Sequence, residues 1–177
     1  MPLPTGITLR AITPNDRPFM AKLYAVGRQA ELASFPFDDQ QKALFLQSQF
    51  EAQYQQYFLN HDCQRYRLLE SNGAPIGRWL TRENSHGFQV VDIALLPTHQ
   101  RLGIGSALLR KLQTEAMTLG KSIQLQVAPL NAAVRLYERL GFQHQASTDG
   151  FYQSMIWWPP MAQSSLGNKS QNGLKTG

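Results

Sequence analysis

The sequence predicts an α/β protein whose strands and helices follow in the order βααβββαβαββ. Three observations predict it. Apolar residues recur by turns at a period of two and at a period of about 3.6 along the chain. Asn72-Gly73 parts two strand-like runs in the manner of a tight hairpin. The run Gln100-Arg101-Leu102-Gly103-Ile104-Gly105-Ser106 joins a strand-like stretch, residues 90–96, to a strongly periodic helix, Ile104–Leu119. With 177 residues, 42% of them apolar and 16% charged, the chain has the size and balance of one globular domain with its own core.

Residues 7–12 alternate as a strand, and Thr13-Pro14-Asn15-Asp16 signals a helix start. Phe19, Leu23 and Val26 or Gly27 carry the stripe of a first helix, which Ser34-Phe35-Pro36-Phe37-Asp38 breaks. A second helix, about residues 39–59, places Ala43, Leu46, Phe50, Tyr54 and Tyr57 or Phe58 on one side. Its richness in glutamine and aromatic residues is unusual for a purely structural element. Residues 65–71 and 74–82 are strands about Asn72-Gly73, and Asn84-Ser85-His86-Gly87 is the next turn. Residues 90–96 form the central strand. The helix after it buries Ile104, Leu108, Leu112 and Leu119 and stops at Gly120. Residues 123–127 make a strand, a short helix carries Tyr137, and residues 143–146 and 152–158 close a hairpin about Thr148-Asp149-Gly150. Beyond Pro160 the composition turns to Ser, Gln, Asn, Gly and Lys. Residues 161–177 are therefore expected to be a disordered polar tail, leaving 1–160 as a single domain.

The formal charge is +5, and the basic residues are scattered. Arg78/Arg82, Arg110/Lys111 and Arg135/Arg139 would assist an anionic cofactor, whereas solvated helix faces explain most of the rest. No basic run, zinc spacing or helix-turn-helix spacing points to nucleic acid. No His, Asp, Glu or Cys grouping has metal-ligand spacing, so no metal is expected. The one cysteine, Cys63, is expected at the start of a strand as a buried, inert thiol of a reducing compartment. No basic-then-apolar leader and no apolar run near the ~20 residues of a membrane span is present. The expectation is a cytoplasmic protein without a membrane partner.

A glycine-rich turn ahead of a helix gathers free backbone N–H groups at the positive end of the helix dipole, a setting for phosphate. A P-loop would need Lys-Ser/Thr where Ser106-Ala107 stands. A Rossmann fingerprint would need a small residue where Leu108 stands. An ordinary strand-to-helix turn remains open on the loop alone. The Gln100-x-x-Gly103-x-Gly105 spacing, after Leu95-Leu96-Pro97, resembles the acetyl-CoA pyrophosphate loop of the GNAT acyltransferase superfamily. A second stretch, Asn131-Ala132-Ala133-Val134-Arg135-Leu136-Tyr137-Glu138-Arg139-Leu140-Gly141-Phe142, resembles that superfamily's other signature. It departs in having one residue fewer between Asn131 and the Leu136-Tyr137 pair than many members have.

The resemblance implies a mixed sheet with helices on both faces and an N-acetyltransferase moving acetyl from acetyl-CoA to a primary amine. Backbone groups of Gln100, Arg101, Leu102, Gly103, Ile104, Gly105 and Ser106 would hold the pyrophosphate, with the Arg101 side chain adding charge. The backbone from Ile93 to Leu95 would pair with the pantetheine amides, and the Leu95 N–H would polarise the thioester carbonyl. Asn131 would bond the pantetheine arm. Tyr137 would protonate the departing thiolate; its bland alternative is an aromatic packing a short helix on the sheet. Asp92, alone in an apolar strand, would orient the amine or relay its proton, or else is a structural carboxylate satisfied by Arg78 or Arg82. Phe35, Tyr54, Glu70 and Tyr152 are acceptor-site candidates, with core packing or solvent as the alternative for each. His86 and His99 belong to exposed turns, and Trp157-Trp158 close the core. Members of the superfamily frequently pair, so a homodimer is possible. The rival reading is a non-catalytic acyl-CoA-binding sensor module, which would keep the loop and have no need of Tyr137.

Overall fold

The computed structural model describes residues 2–59, 63–128, 130–146 and 152–160. Its elements are β1 (Ile7–Ala11), α1 (Arg17–Leu32), α2 (Asp39–Phe58), β2 (Tyr66–Ser71), β3 (Ala74–Glu83) and β4 (Gly87–Leu95), then α3 (Ile104–Leu119), β5 (Ser122–Val127), α4 (Ala133–Arg139), β6 (Gln143–Gln145) and β7 (Gln153–Trp157). This is the order the sequence predicts. The strands form one seven-stranded sheet ordered β1-β2-β3-β4-β5-β7-β6, with β4 in the middle. It is mixed: β4 and β5 run parallel, while β1–β2, β2–β3, β5–β7 and β6–β7 are antiparallel. The hairpin turn expected at Thr148-Asp149-Gly150 and the tail expected at 161–177 lie outside the described residues.

Local chemistry fixes most boundaries. Asn72 and Gly73 both take positive φ, 50° and 81°, as a two-residue turn matching strand twist requires. At the start of α2 the Asp38 carboxylate accepts from the Gln41 N–H at 2.8 Å, and the Gln41 side chain accepts from the Asp38 N–H at 3.0 Å. That reciprocal cap starts a helix whose first amides have no intrahelical partner. In α3 the buried series is Ile104, Leu108, Leu112 and Ala116.

Four expectations need correction. Leu119 stays 52% exposed in the last turn of α3, so the buried stripe ends at Ala116. Ala43 is exposed, and of the α2 stripe Phe50 alone is fully buried. Gly87 opens β4 instead of belonging to the turn; the Asn84 side-chain oxygen takes the N–H groups of His86 and Gly87 and so completes the turn one residue earlier. Cys63 precedes its strand and is half-buried, its thiol 3.7 Å from the Tyr57 and Phe58 carbonyl oxygens.

The described chain falls into two compact units. One comprises Leu3–Arg82 with Asp92–Ile104. Met20, Phe50 and Leu68 form one buried cluster in it, with Ile12, Phe19, Ala21, Tyr24, Tyr54 and Phe58 against them. The rings of Phe50, Tyr54, Phe58 and Tyr66 follow one another at 5.7, 4.6 and 5.3 Å between centroids. The other unit comprises Glu83–Val91 and the described residues from Gly105 on. Ile123, Leu125, Val127 and Met155, paired across β5 and β7, are buried in it.

Candidate functional site

After β4 the chain makes a single helical turn, Pro97–His99, and then the glycine-bearing loop. Arg101 and Gly103 lie in the left-handed region, at φ 60° and 80°. For an arginine that conformation is uncommon and costs roughly 1–2 kcal/mol. A methyl group built on Gly103 meets nothing within 4 Å, so the face of the loop is open. Arg101 and Leu102 are exposed and Ile104 is buried, which anchors the loop by its last residue. The first amides of α3 have no carbonyl partner within the helix.

The end of β4 is held in a definite way. The Leu96 N–H donates to the Ile76 carbonyl at 2.8 Å. Successive residues of a strand present their N–H and C=O to opposite edges. The backbone groups of Leu95, and of Ile93 two residues earlier, therefore lie on the edge turned away from β3. The parallel ladder with β5 pairs Gly87 to Val90 with Ser122 to Leu125, and β4 continues past it to Leu95. The Gln100 side chain turns back on this segment, its amide donating to the Leu95 carbonyl at 2.9 Å.

Asp92 meets Arg78, whose Nε donates to Oδ2 at 2.5 Å. Arg78 is 4% exposed; its Nη2 donates to Gln53 Oε1 at 2.7 Å and its guanidinium lies 5.6 Å from the centre of the Tyr57 ring. Gln53 and Tyr57 come from α2, which gives two of that helix's polar and aromatic residues a place at Arg78. Among the described residues no donor reaches Oδ1 of Asp92, and its side chain is 24% exposed. Arg82 instead donates to the Tyr66 hydroxyl at 2.8 Å. Burial raises the Tyr66 phenol above its ordinary range, against the pull of Arg82.

In the other unit Tyr137 is 5% exposed on α4, its ring 5.8 Å from that of Phe142 and edge-on to it. The Phe142 N–H donates to the Tyr137 carbonyl at 3.0 Å, so the tight turn through Gly141 folds back under the tyrosine. Asn131 Oδ1 accepts from the Ala133 N–H at 2.9 Å, which starts α4 and leaves the side-chain NH2 as donor. A cavity of ≈ 480 Å³ lies along this helix, lined by Leu130, Asn131, Ala132, Val134, Arg135 and Glu138.

The remaining candidates disperse. Glu70 is taken by Arg10, Nε to Oε1 at 2.7 Å. Tyr54 packs on Phe58 and Phe50, with the Arg17 guanidinium 4.7 Å from its ring centre. Phe35 is 37% exposed and sits with Phe37 and Phe45 in an aromatic trio. Tyr152 is 55% exposed. Sequence reasoning missed Gln53, whose role depends on which α2 residue reaches β3. It also missed Gly77, although a glycine inside a strand pattern is a signal of close backbone approach.

A sequence profile of the acetyltransferase (GNAT) family matches residues 28–142, more than half of the chain. The chain belongs to the acetyltransferase (GNAT) family, a family of acetyl-CoA-dependent N-acetyltransferases. Solved structures share the fold. The PaiA N-acetyltransferase of Thermoplasma acidophilum, in complex with coenzyme A, is 17% identical, with 86% of this chain and 98% of that one covered at a TM-score of 0.63. The ribosomal-protein-S18-alanine N-acetyltransferase of Escherichia coli is 25% identical over 85% of this chain and 90% of that one, TM-score 0.52. Arabidopsis thaliana Naa50, in complex with the bisubstrate analogue CoA-Ac-MVNAL, is 16% identical over 86% and 99%, TM-score 0.56. Among the described residues no helix is long and apolar enough to cross a membrane.

Proposed function

We propose that this chain transfers the acetyl group of acetyl-CoA to a primary amine of a small molecule or peptide, with residues 1–160 as the catalytic domain, in the cytoplasm. The observation that carries the reading is the loop before α3, where left-handed Arg101 and Gly103 precede helix-start amides and the space over Gly103 is open. Backbone donors beside an arginine are the chemistry that a pyrophosphate needs, so the residues present fit the ligand. Backbone groups of Gln100, Arg101, Leu102, Gly103, Ile104, Gly105 and Ser106 hold the pyrophosphate in this reading, with the Arg101 side chain adding charge. Ile93 and Leu95 offer strand-edge backbone groups to the pantetheine arm, and the Asn131 NH2 donates to it. When bound, acetyl-CoA supplies the acetyl group as a thioester.

The Leu95 N–H stabilises the negative charge that grows on the carbonyl oxygen as the amine attacks. Tyr137 gives its hydroxyl proton to the departing sulfur. Asp92, held in place by Arg78, accepts a hydrogen bond at Oδ1 from the attacking amine and relays the proton it sheds to solvent. A second reading, a non-catalytic acyl-CoA-binding module, draws on the near-complete burial of Tyr137. Calorimetry with acetyl-CoA on the wild type and on Gly105→Glu tests the site: micromolar binding that the added carboxylate abolishes is expected. Thiol release with a panel of amines then separates the two readings. Tyr137→Phe is expected to lower the rate by about 10- to 100-fold, within what general acid catalysis contributes. Absence of binding by the wild type sinks the reading; unchanged turnover in Tyr137→Phe removes that residue's role.

A further inference from the structure

We propose that Gly77 and Gln100 are positioning residues for acyl transfer, which together fix the Leu95 peptide; this rests on the reading of the Leu95 N–H as donor to the thioester carbonyl. Gly77 lies in the middle of β3 and is buried. A Cβ built there falls 2.4 Å from the Ala94 carbonyl oxygen, 2.7 Å from Leu95 Cδ2 and 3.2 Å from Leu95 Cα. Two of those three atoms are backbone, which cannot swing aside as a side chain does. Space, not conformational freedom, demands glycine here. Any other residue pushes the last turn of the pleat outward, taking the Leu95 N–H with it.

Gln100 closes the peptide from its other end. Its side-chain NH2 donates to the Leu95 carbonyl at 2.9 Å, a backbone group that lies on the edge away from β3. The Leu96 N–H to Ile76 carbonyl bond at 2.8 Å completes the set on the β3 side. Thus the peptide planes on both sides of the Leu95 α-carbon are restrained: one by the tight fit over Gly77, the other by Gln100 and Ile76. The Gln100 side chain serves the strand, and the ligand meets the loop's backbone. A donor aimed at developing charge acts within a narrow distance, about 2.7–3.1 Å, and a misplacement near 1 Å costs roughly 10²-fold in rate.

The test reads the carbonyl directly. Acetyl-CoA carrying carbon-13 at the thioester carbonyl is bound to the wild type, Gln100→Ala, Gly77→Ala and, as a control, Gly27→Ala, whose added methyl meets nothing within 4 Å. Isotope-edited infrared spectra report the carbonyl stretch, and calorimetry reports affinity. The wild type and the control are expected to shift the stretch to lower frequency on binding. Gln100→Ala and Gly77→Ala are expected to lose at least half of that shift while the Kd moves by less than about threefold. In the ligand-free variants the Leu95 and Leu96 amide NMR signals are expected to move. A wild-type frequency in bound Gln100→Ala overturns the proposal, and because Gln100 is exposed that variant decides even where Gly77→Ala does not fold. Wild-type binding with no shift removes Leu95 as donor and the proposal with it. No wild-type binding overturns the acetyltransferase reading itself.

Discussion

Asp16 and Asp92 are both acids held by an arginine in the same compact unit, and they are held in opposite ways. Asp16 is saturated. Its Oδ1 accepts from Arg10 Nη2 at 2.7 Å, and its Oδ2 accepts from Arg10 Nη1 at 2.8 Å, the Thr13 N–H at 2.8 Å and the Thr13 hydroxyl at 3.0 Å. Those bonds, Arg10 first, outweigh desolvation and hold the carboxyl well below the ordinary range. Among the described residues, Asp92 receives a single bond on a single oxygen. There the arginine is the buried partner, 5% exposed at the side chain, and the acid is the wetter one at 24%. A carboxylate bonded on both of its oxygens is a fastener. A carboxylate secured from behind with one oxygen spare is, in the proposed reading, the one that meets the amine.

The contrast can be broken at its strongest point by removing the arginines. Arg78→Ala strips a buried guanidinium from Asp92, Gln53 and Tyr57 together, and is expected to destabilise by about 3 kcal/mol in urea unfolding. Arg10 is 39% exposed at the side chain, and Arg10→Ala is expected to cost about 1–2 kcal/mol on the same measure. Equal costs would erase the distinction between the two sites. The acids themselves sharpen it: Asp92→Asn is expected to lower kcat by about tenfold or more, whereas Asp16→Asn leaves the kcat of the folded protein within about twofold and lowers stability by about 1–3 kcal/mol. Steady-state rates beside unfolding curves distinguish these outcomes.

Acid adds a further cut. The folded pKa of Asp16 lies below its unfolded value of about 4, so its contribution to stability is complete above that pH. It is lost as pH falls through the unfolded value toward the folded one. The wild type should therefore lose more stability than Asp16→Asn between roughly pH 5 and pH 2, and parallel curves would refute the saturated picture. Smallest of all is an exposed pair in the other unit. Lys121 Nζ and Glu83 Oε1 lie 2.7 Å apart at the surface, and Lys121→Ala is expected to cost less than about 1 kcal/mol.

Much of this was legible in the residues. The order of eleven elements follows from period and punctuation, and Ile104–Leu119 is a helix from end to end as its spacing requires. The pairing of Asp92 with an arginine was one of two alternatives, because a lone acid in an apolar strand needs a partner. Choosing Arg78 over Arg82 takes the register of β3 against β4, which no local pattern contains. Glu70 met Arg10 for the same reason: β1 and β2 must pair before the two are neighbours. The place of Gln100 in the loop is legible, but the destination of its side chain, the Leu95 carbonyl, is a tertiary contact closed by the turn at Pro97–His99. Leu119 was misread because helical spacing says which residues share a face, not how far along the helix the sheet extends to cover them.

The pairing of β1 with β2 also sets a schedule for the chain as it is made. Ile7 finds its partner at Ser71 and Ala11 finds its partner at Arg67, with α1 and α2 between them. At about 5–20 residues per second the intervening chain takes roughly 3–12 s to leave the ribosome. Through that interval the N-terminal strand has no sheet to join, and closing so long a loop makes its pairing late even in a refolding tube. Pulse-labelled amide exchange should find β2 and β3 protected before β1. This edge strand of the sheet is thus made well before its partner and seated after it, a stretch left for a nascent-chain chaperone to hold in the meantime.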